Sequence, residues 1–167
     1  MNQIIKTCFG ISSLCADKNH VIFYDADCNH SLDSLNKVET DLRKMQVVAS
    51  LSTFYVLKST NGYNAICLDK IPIENVIKLL SNYCTMIDND FIKFGAKRGY
   101  FTLRIDKDKK IINNLISITE RKKSFPHKFI LENFLNISVV EGDFDNSKSI
   151  DIIHFPSDKN GYFEVKK

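Results

Sequence analysis

Two aspartates one residue apart close an apolar run in this chain, His20-Val21-Ile22-Phe23-Tyr24-Asp25-Ala26-Asp27. Alternate side chains of a strand share a face, so Asp25 and Asp27 would project together from its end. Like charges held that close repel unless a cation lies between them, and hard divalent cations take oxygen ligands. A strand-end Asp-x-Asp is therefore a candidate Mg²⁺ or Mn²⁺ site of the kind used in phosphoryl transfer. The pair also has a plainer reading, because Asp is common where a strand passes into a turn.

Other residue types that could serve such a site follow later. Lys58-Ser59-Thr60-Asn61-Gly62-Tyr63-Asn64 places a hydroxyl, an amide and a cation around an Asn-Gly pair, the strongest hairpin signal in the chain. The same Asn-Gly reads equally as a type I′ turn with no further role. Two later aspartates follow an apolar residue, Leu68-Asp69 and Ile105-Asp106. Between residues 93 and 123, ten basic side chains, Arg98 and Arg104 among them, stand against three acidic ones, enough for a local positive patch. Solvated lysine-rich turns would give the same count. The four histidines (His20, His30, His127, His154) lack metal-ligand spacing, and only His30 falls near the carboxylates. The five cysteines are scattered with no C-x-x-C pair, which argues against zinc and against a secreted disulfide framework.

The elements that must position these groups can be read from periodicity. Four successive apolar or aromatic residues from Val21, two of them β-branched, predict a strand buried on both faces. Ser31 is a candidate N-cap for a helix with Leu32, Leu35, Val38, Leu42 and Met45 on its inner face and Lys37, Glu39, Asp41, Arg43 and Lys44 mainly on its wet side. Residues 53–58 and 63–68 predict a hairpin, and Pro72 opens a second helix with Ile73, Val76, Ile77 and Leu80 buried. Residues 99–105 predict another strand, with Thr102 and Arg104 on one face and Phe101, Leu103 and Ile105 on the other. Tyr55, Tyr63, Tyr100 and Phe101 are either sheet packing or stacking platforms. Strand-like density returns at 111–118, 137–140, 150–155 and 161–165, with a short helix at 129–135.

The order strand, helix, two strands, helix, strand is the βαββαβ plan of ferredoxin-like and RNA-recognition-motif-like folds. The expected fold class is α+β: an antiparallel sheet with the first strand in its middle, helices on one face and a C-terminal extension. The domain would span 1–125, with 126–167 packed on it.

Asp25-x-Asp27, followed by Ser59-Thr60-Asn61-Gly62-Tyr63-Asn64 at a hairpin, resembles the catalytic core of archaeo-eukaryotic primases, the primase-polymerase superfamily. The resemblance covers roughly residues 20–110 and rests on the order and spacing of short motifs. It implies a metal pair at Asp25 and Asp27 with Asp106, or else Asp69, as third ligand. It also implies nucleotide-phosphate contacts from Lys58, Ser59, Asn64, Arg98 and Arg104. Asn64 occupies the position of the family's histidine. An amide can still orient a phosphate, but it carries no charge and transfers no proton.

At 167 residues the chain can bury a real core, and its 44% hydrophobic and 26% charged content excludes the compositional class of disordered chains. The formal net charge of +3 permits a polyanionic partner without requiring one. No run approaches transmembrane length and no signal-peptide core opens the chain, so a cytoplasmic protein without a membrane partner is expected. The leading expectation is metal-dependent nucleotidyl transfer in DNA replication of a small viral or plasmid genome. Its partners would be nucleoside triphosphates, DNA or RNA, and a replication protein. The alternative is a non-catalytic nucleic-acid-binding module on an RNA-recognition-motif-like sheet. The paired-histidine motif of rolling-circle endonucleases, which share a related topology, is missing.

Overall fold

A run that is apolar at every position, and not at every second one, needs cover on both sides. Strand β2 (His20–Asp27) has it: Val21, Ile22, Phe23, Tyr24 and Ala26 are all fully buried. A computed structural model describes residues 5–15, 17–105, 109–119 and 150–156. Ahead of β2 lies β1 (Ile5–Ser12), and after it come α1 (Leu32–Ala49), β3 (Phe54–Ser59), β4 (Gly62–Ile71) and α2 (Ile73–Tyr83). The order continues with α3 (Asn89–Arg98), β5 (Thr102–Ile105), β6 (Lys110–Leu115) and β7 (Ile150–Pro156). The fold is α+β with antiparallel sheets, a plan compatible with a ferredoxin-like arrangement.

The described strands form two sheets, ordered β2-β4-β3-β6 and β5-β1-β7. This departs from the expected single sheet in two ways. Strand β2 ends the hydrogen-bonded order of its sheet and does not sit in the middle. On its outer side the Val21 amide donates to Ser13 O and Asp25 O accepts from the Asp88 amide. Strand β5, expected to complete that sheet, pairs with β1 from Phe9↔Ile105 to Ser12↔Thr102. β1 is thus the element that redirects the topology, taking β5 on one side and β7 on the other. Strand β7, predicted at 150–155, finds its described partner in β1. The expected elements at 129–135, 137–140 and 161–165 lie outside the described residues.

Local chemistry explains most of the boundaries. Ser31 caps α1 by accepting the Ser34 amide at 3.1 Å, and Ser50 ends it in the left-handed conformation, its amide bonded to Gln46 O. Val38, Leu42 and Met45 are fully buried, whereas Leu32, placed on the inner face by spacing, is 73% exposed. Asp41, assigned to the wet side, is 1% exposed. Its carboxylate accepts from Tyr24 OH, from the Thr85 amide and hydroxyl, and from the Met86 amide. Asp41 follows Val38 by three and precedes Met45 by four, so the helical period itself puts it on the buried stripe.

Helix α3 went unpredicted. Asp88 caps it through the Asp90 amide, and Gly99 ends it at φ +79°. Inside it Gly95 faces Phe101, where an added Cβ would lie 2.1 Å from the ring. The glycine weakens the helix by about 1 kcal/mol but lets Phe101, just ahead of β5, pack against it. No helix among the described residues is long and apolar enough to cross a membrane.

Candidate metal centre at the end of strand β2

The β2–β4 ladder runs in register through Asp25↔Asn64, Ala26↔Tyr63 and Asp27↔Gly62, and β4 pairs with β3 through Leu57↔Asn64, Lys58↔Tyr63 and Ser59↔Gly62. Directly opposed residues of an antiparallel ladder share a face, and alternation puts the next pair on the other. Asp25, Asn64, Asp27 and Ser59 therefore lie on one face, at the same end of three adjoining strands. Tyr24, whose hydroxyl reaches Asp41 on α1 at 2.9 Å, lies on the opposite face.

The ladder reaches this register because Gly62 lets the strands close. A Cβ there would fall 1.9 Å from Ala26 O. Neither Thr60 nor Asn61 takes a positive φ, so the turn is not type I′ as the Asn-Gly pair suggested. The glycine serves the approach of β4 to β2. His30 fastens the turn from outside, its Nε2 donating to Ser59 O at 2.9 Å and Gly62 O at 3.2 Å while its ring meets Tyr63 edge-on.

Asp25 is half-buried, Asp27 exposed, and Asn64 98% buried (2% exposed). The Asn64 Nδ2 donates to Asp25 Oδ1. Burial pushes the Asp25 carboxyl up to about 6; the Lys109 charge opposes that shift, the nearby Asp27 and Asp88 charges add to it, and the Asn64 hydrogen bond opposes it. Asp27 is raised as well, first by burial and then by Asp88. Asn64 Oδ1 is buried and meets no hydrogen-bond donor.

Asp88 and Lys109 are the two members that motif reading missed. Asp88 arrives because its amide donates to Asp25 O at 2.9 Å while its carboxylate caps α3 at the Asp90 amide, 3.0 Å away. The signal was present as an N-cap Asp eleven residues before a C-terminal Gly, the frame of a short helix. Lys109 donates its Nζ to Arg104 O, and its charge acts on Asp25.

Other predicted residues fall elsewhere. Lys58 pairs with Tyr63 and alternates to the face opposite Asp25 and Asn64, so it does not join Asn64 as a phosphate contact. Asp69 is five residues along β4 from Asn64, roughly 16 Å by strand rise and on the opposite face. It is buried and accepts from the Ser52 amide at 2.8 Å and the Ser52 hydroxyl at 2.5 Å, so it is not the third ligand. Asp106 lies outside the described residues. Arg98 holds Phe94 O at 3.2 Å and lies 5.5 Å from the centre of the Tyr100 ring. Arg104 is exposed on β5, in the β1 sheet. Tyr55, Tyr63 and Phe101 are buried packing residues and offer no stacking platform. Among the described residues no group of three or more His, Cys, Asp or Glu side chains gathers in metal-holding geometry. Comparison with protein-family models, with curated proteins and with solved structures gave no match.

Proposed function

We propose that this chain is a minimal primase-polymerase-like protein that carries out divalent-metal-dependent nucleotidyl transfer in the replication of a small genome. In this reading β2, α1, β3, β4 and α2 supply the first five elements of an RNA-recognition-motif-like unit, with β5 carried on β1 at its side. One observation carries the proposal. Two motifs distant in sequence, Asp25-x-Asp27 and the Ser59 to Asn64 turn, meet on one face at one strand end, with Asn64 directly across from Asp25, 39 residues before it.

The donors suit Mg²⁺ or Mn²⁺: two carboxylates and a buried amide oxygen that meets no donor, all hard oxygen ligands. Asp25 and Asp27 would hold the ion. When bound, it supplies Lewis-acid polarisation of a phosphoryl group and neutralises developing negative charge. The residues around it have separable tasks. Burial and Asp88 disfavour charge on Asp25 and Asp27, which makes the ion-free pair costly and the ion-bound pair comparatively favourable. Ser59, on the same face, would meet nucleotide phosphates in this reading. Lys109 offsets the acidic charge beside β5.

A second reading has its own support. Lys93, Lys97, Arg104 and Lys110 are exposed on α3, β5 and β6, as a non-catalytic nucleic-acid-binding module requires. Incorporation of labelled nucleotides on single-stranded and primed DNA, with Mg²⁺ or Mn²⁺, tests the first reading. Activity in the wild type that is lost in Asp25→Ala and Asp27→Ala is the expected result. Equal inactivity of all three, with DNA binding that weakens steeply with salt, would establish the binding module.

A further inference from the structure

Asn64 stands out among the buried polar groups of the described residues. Its side chain is nearly inaccessible, its nitrogen donates to Asp25 Oδ1 and, at 3.4 Å, to Tyr63 O, and its oxygen has no donor. Buried amide oxygens are ordinarily satisfied, because an unpaired one forfeits its hydration with nothing in return. Thr102 Oγ1 is similarly unpaired, but its ladder partner is Ser12 and no carboxylate opposes it. Asn64 instead stands directly across the ladder from the Asp25 carboxylate, to which its nitrogen is bonded.

The two ends of an amide group are nearly the same size, so a half-turn about Cβ–Cγ exchanges donor for acceptor within one space. Without a cation, only the donor can face Asp25 Oδ1, since two oxygens there would repel. With a cation against Asp25, the preference reverses. We propose that Asn64 Oδ1 is a direct ligand of the divalent cation held by Asp25 and Asp27, the amide turning from hydrogen-bond donor to metal ligand as the ion enters. This rests on the metal-dependent reading above, and it gives Asn64 a task that needs neither charge nor proton transfer. It also explains how two carboxylates can form a site where no third takes up metal-holding geometry among the described residues. Asparagine carbonyl oxygens are ordinary ligands for hard cations, and Asn64 is held in place by its position within the ladder.

Mn²⁺ binding to the full chain, followed by electron paramagnetic resonance, tests this without reference to activity. Asn64→Leu keeps the side chain's bulk and removes the oxygen, and is expected to weaken Mn²⁺ binding about tenfold or more. Asn64→Asp keeps an oxygen in place and is expected to bind at least as tightly as wild type. Unchanged affinity in Asn64→Leu would overturn the assignment while leaving the Asp25–Asp27 metal reading intact. Weaker binding by Asn64→Asp than by wild type would also overturn it, and this variant decides the matter if Asn64→Leu does not fold. Absence of Mn²⁺ binding in wild type would remove the metal reading itself, and this assignment with it.

Discussion

Asp25 and Asp41 are both sheltered carboxylates, one on β2 and one on the helix packed against it, yet their surroundings are opposite in kind. Asp41 collects four donors from Tyr24, Thr85 and Met86 and so joins α1 to β2 and to the segment after α2. Among the described residues Asp25 receives one side-chain donor, from Asn64, and faces the charges of Asp27 and Asp88. A carboxylate with its lone pairs satisfied by the fold is a structural device. One that is half-buried, bonded by a single side chain among the described residues and set beside like charges is instead a candidate ligand site. Asp69, held by the Ser52 amide and hydroxyl, belongs with Asp41.

The contrast can be broken most directly at Asp41. Asp41→Ala leaves the Tyr24 hydroxyl, a second hydroxyl and two amides without their acceptor, and should lower the free energy of unfolding by about 3 kcal/mol or more. Urea denaturation measures this, and a loss below about 1 kcal/mol would show that the network is not structural.

Asp25 should behave in the reverse sense. Its folded-state pKa of about 6 exceeds the ordinary 3.8. The folded chain therefore holds that proton more tightly than the unfolded one, and stability from this group is lost as pH rises from about 4 through 6. Asp25→Asn should consequently stabilise the protein at pH 7 by about 1–3 kcal/mol, with the gain vanishing at pH 4. Unfolding curves at the two pH values decide it. A variant less stable than wild type at pH 7 would put Asp25 in the same class as Asp41.

The smallest effect sharpens the placement of Asp69. Ser52→Ala removes the hydroxyl donor but keeps the Ser52 amide, so it should cost about 1 kcal/mol by thermal unfolding and leave Mn²⁺ binding unchanged. A change in metal affinity would contradict the separation of Asp69 from the centre at β2.

What the sequence determined by itself was local. The double-faced burial of β2, the Ser31 cap, the β3–β4 hairpin, the helix after Pro72 and the shared face of Asp25 and Asp27 all follow from periodicity, capping and strand alternation. Helix α3 escaped because its apolar face is short and holds a glycine, although its Asp88 and Gly99 ends were legible. The tertiary structure decided everything that depends on which strands meet. It placed β2 at the end of its sheet, gave β5 to β1, turned Lys58 and Asp69 away from Asp25, and set Asp88 and Lys109 beside it. Strand pairing across long separations is fixed by the best joint burial and hydrogen bonding of the whole chain, and one residue of register moves a side chain to the opposite face. A motif in sequence can therefore name Asp25, Asp27 and Asn64 as a set, while their company, and the difference between a carboxylate whose lone pairs the fold satisfies and one it leaves beside like charges, exists only once the ladder is closed.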